Sequence, residues 1–379
     1  MPFTVTEQTV PKSEYGERLE RLRDGMALSE WQAVYVASPA NIRYLTGFAI
    51  TPFERLAAVV VPRDTDPFIV VPALEAESAA ENPAGMTVFS WKDQDGPFGL
   101  LRAALQQARV KGVALEKEAV NVTVFEALQA VLGEDSFADA SAFMAELRMR
   151  KSTAEVEAIA GAAAVLDACL AELPGSLRPG RAEAEVSFEL DGLVRRHGGE
   201  GTAFETTVLS GPNAALPHGR PGARELSEGD LVIVDFGAVR DGYCADVTRT
   251  FAVGEPSDEA REIFELVRAP QVAGCEAVRA GALCSEVDAA ARSVIDNGGY
   301  GDYFVHRTGH GLGLDVHEPP SLVAGNDRPL EVGNVVTVEP GIYVPGLLGV
   351  RIEDDVAVTE SGGSTRLTNA RRELIVCPV

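Results

Sequence analysis

Basic residues are scarce in this chain: 33 Lys and Arg stand against 57 Asp and Glu, a net charge of −24 over 379 residues. On average such a field repels a phosphate backbone or an anionic lipid surface, which argues against nucleic acid or membrane as a partner. No run of Lys and Arg exceeds two residues, the pairs being Arg150-Lys151, Arg195-Arg196 and Arg371-Arg372. By itself the acidity reads as solubility, or as adaptation to a salty or stressful host. The five cysteines (Cys169, Cys244, Cys275, Cys284, Cys377) form no C-x-x-C pair, so reduced thiols and a cytoplasmic location are expected, not a disulfide framework. Met1 to Lys12 lacks the apolar segment of a secretory leader, and no stretch reaches the ~18 apolar residues of a membrane helix. Low-complexity segments and short-period repeats are also missing.

What is present suffices for packed cores. Hydrophobic residues make up 46% and charged residues 24%, and at ~150 residues per domain the length implies two or three domains. In the first third, Leu19, Leu22 and Met26 repeat at helical spacing. Apolar runs at Ala33-Val36, Ala57-Val61 and Phe68-Val71, bounded by Pro, Gly or charge, predict buried strands. Val122, Phe125, Leu128 and Leu132 predict a helix stopping at Gly133. Together these give a small α/β domain over residues 1–150. Ser152-x-x-Glu155 is a capping box that opens a long helix ending at Pro174-Gly175, and a second domain over 151–379 starts there. Further helices are expected at about 182–197, 257–280 and 285–297, each closing on Gly, with Pro270 a kink point in the second.

Two segments of the second domain echo each other. Val232-Ile-Val-Asp235-Phe-Gly precedes a turn and then Asp246-Val-Thr-Arg-Thr; Val336-Thr-Val-Glu339-Pro-Gly precedes a turn and then Glu353-Asp-Asp-Val-Ala-Val. Both read as strand, turn, strand, with one carboxylate ending the first strand and another opening the second. A buried ionised carboxylate must be paired or bind metal. Strand-end acids are usually just exposed, but two hairpins making the same costly choice point to four carboxylates converging between related halves.

Three of the five histidines lie within twelve residues, His306-Arg-Thr-Gly-His310-Gly-Leu-Gly-Leu-Asp-Val-His317, followed by Glu318. Gly309, Gly311 and Gly313 let the backbone pass close to a neighbour, as at a metal or ligand. A phosphate loop is disfavoured because no Lys-Ser/Thr follows. His218 follows a turn-rich loop, and His197 reads as a helix end. Cys244 beside Asp246 suggests a thiol nucleophile, but no His/Asn pattern accompanies it.

These motifs carry a family resemblance. Asp235-Phe-Gly…Gly242-Tyr-x-x-Asp246, Thr308-Gly-His310-Gly-Leu-Gly…His317-Glu, Glu339-Pro-Gly-Ile-Tyr343 and Gly349-Val-Arg-Ile-Glu353-Asp resemble the pita-bread metallopeptidases. Ser38-Pro-Ala-Asn41-Ile-Arg-Tyr44-Leu-Thr-Gly47-Phe is similar to the signature of the creatinase-type N-terminal domain of the proline-directed branch. The resemblance implies a creatinase-like α/β domain followed by a pseudo-two-fold α+β catalytic domain. It also implies two divalent metal ions, with Asp235 on one, His310 and Glu339 on the other, and Asp246 and Glu353 bridging both. Four carboxylates and one imidazole suit Mn²⁺, or Co²⁺, Fe²⁺ or Zn²⁺ according to supply. Glu339 is also the expected proton acceptor from the attacking water, and His218 and His317 match the family's outer histidines. Arg351, two residues before Glu353 on its strand, would share its face and orient Asp246, while Tyr343 would touch substrate.

The expected activity is cleavage of Xaa-Pro bonds in short peptides by a homodimer. A non-catalytic binding paralogue and metal-free creatinase are disfavoured because all five ligands are intact, and methionine aminopeptidase because it lacks the N-domain. The choice between Xaa-Pro dipeptidase and aminopeptidase P turns on one cation. In many prolidases an Arg shortly after the His-Glu pair grips the dipeptide carboxylate; here the run is His317-Glu-Pro-Pro-Ser321. Arg43, Arg220 or Arg307 could replace it, and Arg43, reaching the site from the N-domain, is the working hypothesis.

Overall fold

A computed structural model describes residues 10–51, 54–134 and 136–379, so the first nine residues of the Met1 to Lys12 segment lie outside the described part. Two compact units result, Val10–Arg148 and Met149–Val379. Among the described residues no helix is long and apolar enough to cross a membrane, and all five cysteines are free and buried.

The N-terminal unit runs α1 (Lys12–Leu28), β1 (Ala33–Val36), α2 (Pro39–Thr46), β2 (Ala58–Pro62), β3 (Phe68–Pro72), α3 (Ala76–Ala80), β4 (Thr87–Trp91), α4 (Phe98–Gln107), β5 (Val113–Leu115), α5 (Val122–Leu132), β6 (Phe137–Asp139) and α6 (Ser141–Met149). Its six strands form one mixed sheet in the order β4-β3-β2-β1-β5-β6. The apolar runs of β1, β2 and β3 are buried along their whole length, which fits strands covered on both faces. Tyr35, Phe68, Trp91, Leu101, Leu105 and Leu128 fill one side.

The Ser38–Gly47 signature has a structural explanation. The Ser38 hydroxyl caps α2 by accepting from Asn41 N, Pro39 occupies the first turn, and Gly47 ends the helix at φ 73°. Buried Glu116 accepts from Ala37 N at 2.6 Å and Ser38 N at 2.9 Å, and also from Asn41 Nδ2. Arg148 Nη1 donates to Asn41 Oδ1 at 3.0 Å.

The second unit opens on α7 (Thr153–Glu172), where Ser152 and Glu155 form the expected capping box. There follow α8 (Glu183–Arg196), β7 (Thr207–Ser210), β8 (Leu231–Arg240), β9 (Tyr243–Val253), α9 (Asp258–Ala277) and α10 (Cys284–Asn297). The chain then forms β10 (Gly309–Gly311), β11 (Glu318–Leu322), β12 (Val335–Val338), β13 (Gly341–Val344), β14 (Leu348–Arg351), β15 (Asp354–Val358), β16 (Ser364–Arg366) and β17 (Ile375–Cys377). Two helices precede each of two main sheets, ordered β17-β9-β8-β7 and β11-β10-β12-β15-β16, which is the pseudo-two-fold plan.

Three local expectations need correction. Glu339 and Glu353 are not joined by a plain turn: β13 and β14 form a separate hairpin between them, while β12 pairs β15 with Val338 opposite Asp354. Asp235 and Asp246 lie inside long strands and not at strand ends. Of the three later helices only α10 closes on glycine; His197 closes α8, and Val278 closes α9, which continues through Pro270.

Glu116→Ala would strand three donors at once, the buried Asn41 amide and two backbone N–H groups at partly buried positions. At roughly 1–3 kcal/mol for each unpaired buried group after partial rehydration, urea unfolding of the variant should show a loss of about 3 kcal/mol or more. A loss under about 0.5 kcal/mol would mean that water replaces the carboxylate.

Candidate active site

On the β8–β9 ladder Asp235 lies opposite Thr248 and Asp246 opposite Gly237. Side chains alternate along a strand, so positions 235 and 237 share a face and both carboxylates emerge on it. The second half is stitched on by β9: Glu353 N donates to Thr248 O at 3.1 Å, and Thr248 Oγ1 donates to Glu353 Oε2 at 2.7 Å. Thr250 Oγ1 donates to Arg351 O at 2.9 Å. His310 sits in β10, between β11 and β12, and Glu339 follows β12 with its N–H on Thr308 O at 2.7 Å.

These elements surround a cavity of about 590 Å³ lined by Asp235, Asp246, His310, Glu339 and Glu353, and also by His218, His317, His306, Arg307, Arg220 and Arg351. Ligand atoms of Asp246, His310 and Glu353 all lie within 4.8 Å of one another. The His310 Nδ1–H faces the Gly311 carbonyl at 3.0 Å, so the Nε2 lone pair points at Glu339 Oε1 3.4 Å away and Asp246 Oδ2 3.8 Å away. Three sets of lone pairs thus confront one another. Asp246 Oδ1 and Glu353 Oε1 are buried without a hydrogen-bond partner among the described residues. This donor set fits a bound cation and little else.

Titration behaviour follows from the same crowding. Burial, and then the neighbouring carboxylates, push Asp246 and Glu353 well above the usual carboxylate range. Burial raises Glu339 to about 7 and lowers His310 to about 3. Burial also lowers His317, whose ring stands edge-on to His310 with centroids 4.3 Å apart.

Arg351 does not orient Asp246. Its Nη2 binds Asp235, its Nε donates to Thr248 Oγ1 at 3.1 Å, and its Nη1 donates to the Tyr343 hydroxyl at 2.6 Å. β14 ends at Arg351 and β15 begins at Asp354 in a different sheet, so strand alternation does not carry from residue 351 to 353. Tyr343 is buried, with its hydroxyl between Arg351 and His306 Nε2 (2.9 Å), behind the cavity wall. Arg43 is half-buried on α2 of the N-terminal unit.

The glycines of the histidine segment also serve a different purpose from the one expected. A Cβ at Gly309 would lie 1.9 Å from Thr337 O, and one at Gly311 2.3 Å from Pro319 O, so the close neighbours are the adjoining strands. Two groups have no individual role in the sequence reading. His306 bridges to Tyr343, and its clustering with His310 was the available signal. Buried Asp354, beside Glu353, receives Arg249 Nη2 at 2.7 Å, Arg372 Nε at 2.6 Å and Thr368 Oγ1 at 2.6 Å.

Comparison with known proteins agrees with this geometry. Residues 157–360 match the model of metallopeptidase family M24, and residues 18–150 match the creatinase/prolidase N-terminal domain. An Xaa-Pro dipeptidase of Lactobacillus helveticus is 37% identical over 365 residues, covering 95% of this chain and 99% of the relative. The crystal structure of a prolidase from Thermococcus sibiricus superposes with a TM-score of 0.90 at 36% identity, covering 96% and 99% of the two chains. An X-Pro aminopeptidase from Thermotoga maritima gives 0.85 at 32% identity, covering 95% and 99%.

Metal binding should be proton-linked. With Glu339 raised to about 7 and burial pushing Asp246 and Glu353 well above the usual carboxylate range, an arriving cation must displace protons at pH values where ordinary carboxylates hold none, so affinity rises with pH. Because its carboxyl pKa is raised on folding, the metal-free protein binds more protons folded than unfolded. The Glu339 contribution to its stability is therefore lost as pH climbs from 4.5 through about 7. The gain in Tm on adding Mn²⁺ should be larger at about pH 8 than at about pH 5.5. A gain independent of pH would contradict the protonated resting site.

Proposed function

Because the chain belongs to metallopeptidase family M24 and carries a creatinase/prolidase N-terminal domain, we propose that it is a dinuclear Xaa-Pro dipeptidase. The observation that carries this reading is the convergence of Asp246, His310 and Glu353, with two carboxylate oxygens buried and unpartnered. Asp235 and Glu339 complete a five-residue set for two divalent ions, with Mn²⁺ the best match to a site rich in oxygen donors. When bound, such a pair lowers the pKa of a shared water and polarises the scissile carbonyl.

The remaining steps belong to the chain. Glu339 accepts the proton of the attacking water and passes it to the leaving proline nitrogen. His317, whose pKa burial lowers, offers one ring N–H to the developing oxyanion, and His218, which also lines the cavity, offers another. Arg351 fixes Asp235 and ties it through Tyr343 to His306. A homodimer in the cytoplasm belongs to the same proposal, with sedimentation velocity as the test of assembly.

A dipeptide ends in a carboxylate one residue beyond the scissile bond, and among so many acids only a fixed cation can receive it. Of the arginines lining the cavity, Arg351 is committed to Asp235, and Arg220 faces Glu205 at 3.4 Å. Arg307 has no carboxylate partner among the described residues and donates only to Ser321 Oγ at 3.3 Å. That places its guanidinium beside the residue where many prolidases carry Arg, which favours Arg307 over Arg43 as the length gauge.

Exhaustive chelation should abolish Xaa-Pro cleavage and Mn²⁺ or Co²⁺ should restore it. Asp246→Asn or Glu353→Gln should each cost on the order of 10³-fold in kcat, and near-normal turnover with full metal content would refute the ligand assignment. Arg307→Ala should raise KM for Xaa-Pro by roughly 10–100-fold while barely affecting Xaa-Pro-Yaa. If Arg43→Ala alone has that effect, the gauge lies in the N-domain. A wild type that prefers tripeptides would make the protein an aminopeptidase P.

A further inference from the structure

His218 has no hydrogen-bond partner among the described residues and is exposed at the edge of the cavity it lines. Its position is therefore set by the loop that carries it, residues 211–222. One buried side chain grips both ends of that loop. Glu183, in the first turn of α8 and 0% exposed, receives Ser210 N and Ser210 Oγ on Oε1, each at 2.8 Å. Asn213 Nδ2 donates to both of its oxygens, at 3.2 and 3.1 Å, and Gly222 N donates to Oε2 at 3.3 Å. Two backbone bonds run beside this clamp, Glu183 N to Arg224 O at 2.9 Å and Ala184 N to Gly222 O at 3.1 Å. The turn between packs on β14, where a Cβ at Gly349 would lie 1.8 Å from Ala214 O.

We propose that Glu183 is a positioning residue for catalysis: its carboxylate closes the 211–222 loop and thereby holds the His218 ring at the substrate carbonyl. The inference rests on the reading in which His218 steadies that carbonyl. An acceptor-only group is required, because every contact it makes is with a donor. An amide of the same shape would turn an NH₂ against one of those N–H groups. Arg224, which donates to Ser210 Oγ and pairs with Asp230 at 2.7 Å, supplies compensating positive charge nearby.

The test compares wild type, Glu183→Gln, His218→Ala and the double variant, reading metal content, kcat and KM for Xaa-Pro, and amide hydrogen exchange over residues 208–224. Glu183→Gln should keep its metal, exchange faster at residues 210–222, and lose on the order of 10-fold in kcat with little change in KM. The double variant should be no slower than His218→Ala alone. Unchanged loop exchange, or losses that multiply in the double variant, would overturn the clamp. Normal turnover in His218→Ala with accelerated exchange in Glu183→Gln would instead overturn the role of His218, and with it the route from Glu183 to catalysis. Should Glu183→Gln fail to fold, Asn213→Ala removes one donor from the loop side. It should show the same pattern at smaller size, and normal exchange and kcat there would equally reject the proposal.

Discussion

Mutual repulsion among acids that share one cleft governs the architecture of the second unit. Asp246 and Glu353 are buried, and Asp235 and Glu339 stand beside them, so the site works against its own assembly until positive charge arrives. Protein cations answer only part of the demand. Arg351 takes Asp235, but Asp246 Oδ1 and Glu353 Oε1 are left without donors. The scaffold must therefore hold its shape by other means. Thr250 and the backbone of residues 248, 351 and 353 tie β9 to the end of β14 and the segment after it through neutral hydrogen bonds, which cost no charge burial, and Thr248 Oγ1 adds a donor to the Glu353 carboxylate.

The run Glu353-Asp354-Asp355 shows how finely that charge is divided. Glu353 faces the site, Asp354 is handed to Arg249, Arg366 and Arg372, and Asp355 accepts from the backbone N–H of Asp246. Burial pushes Asp354 upward, yet Arg249 and Arg372 hold it below the usual carboxylate range. Neighbouring residues of identical chemistry thus have opposite electrostatic surroundings, set by the direction in which each side chain leaves the backbone.

Much of this was legible in the sequence wherever the signal was local. The Ser152–Glu155 capping box, the wholly apolar strands and the helix from Val122 up to Gly133 depend on residues close in the chain, and the structure forms them nearly residue for residue. The convergence of Asp235, Asp246, His310, Glu339 and Glu353 was legible as a motif set. Partnerships between distant segments were not. Arg351 was assigned to Asp246 by counting along a strand that in fact stops at residue 351. The glycines around His310 suggested a ligand, whereas the backbones of flanking strands are what crowd them. Glu183 reads in sequence as an ordinary acid of a helix's first turn, and its burial against residues 210–222 is visible only once the chain is folded.

The arginine ring around Asp354 also has a consequence for biosynthesis. Arg366 and Arg372 come from the last part of the chain, and β17 lies alongside β9 in parallel register from Ile375 to Cys377. Arg249 supplies Asp354 with one positive partner early in the chain, but the ring is complete only when position 372 has been made, and the edge of the sheet bearing Asp246 is covered only a few residues later. Every acid of the site is therefore made before the last of the cations and the edge strand that enclose this region in the fold.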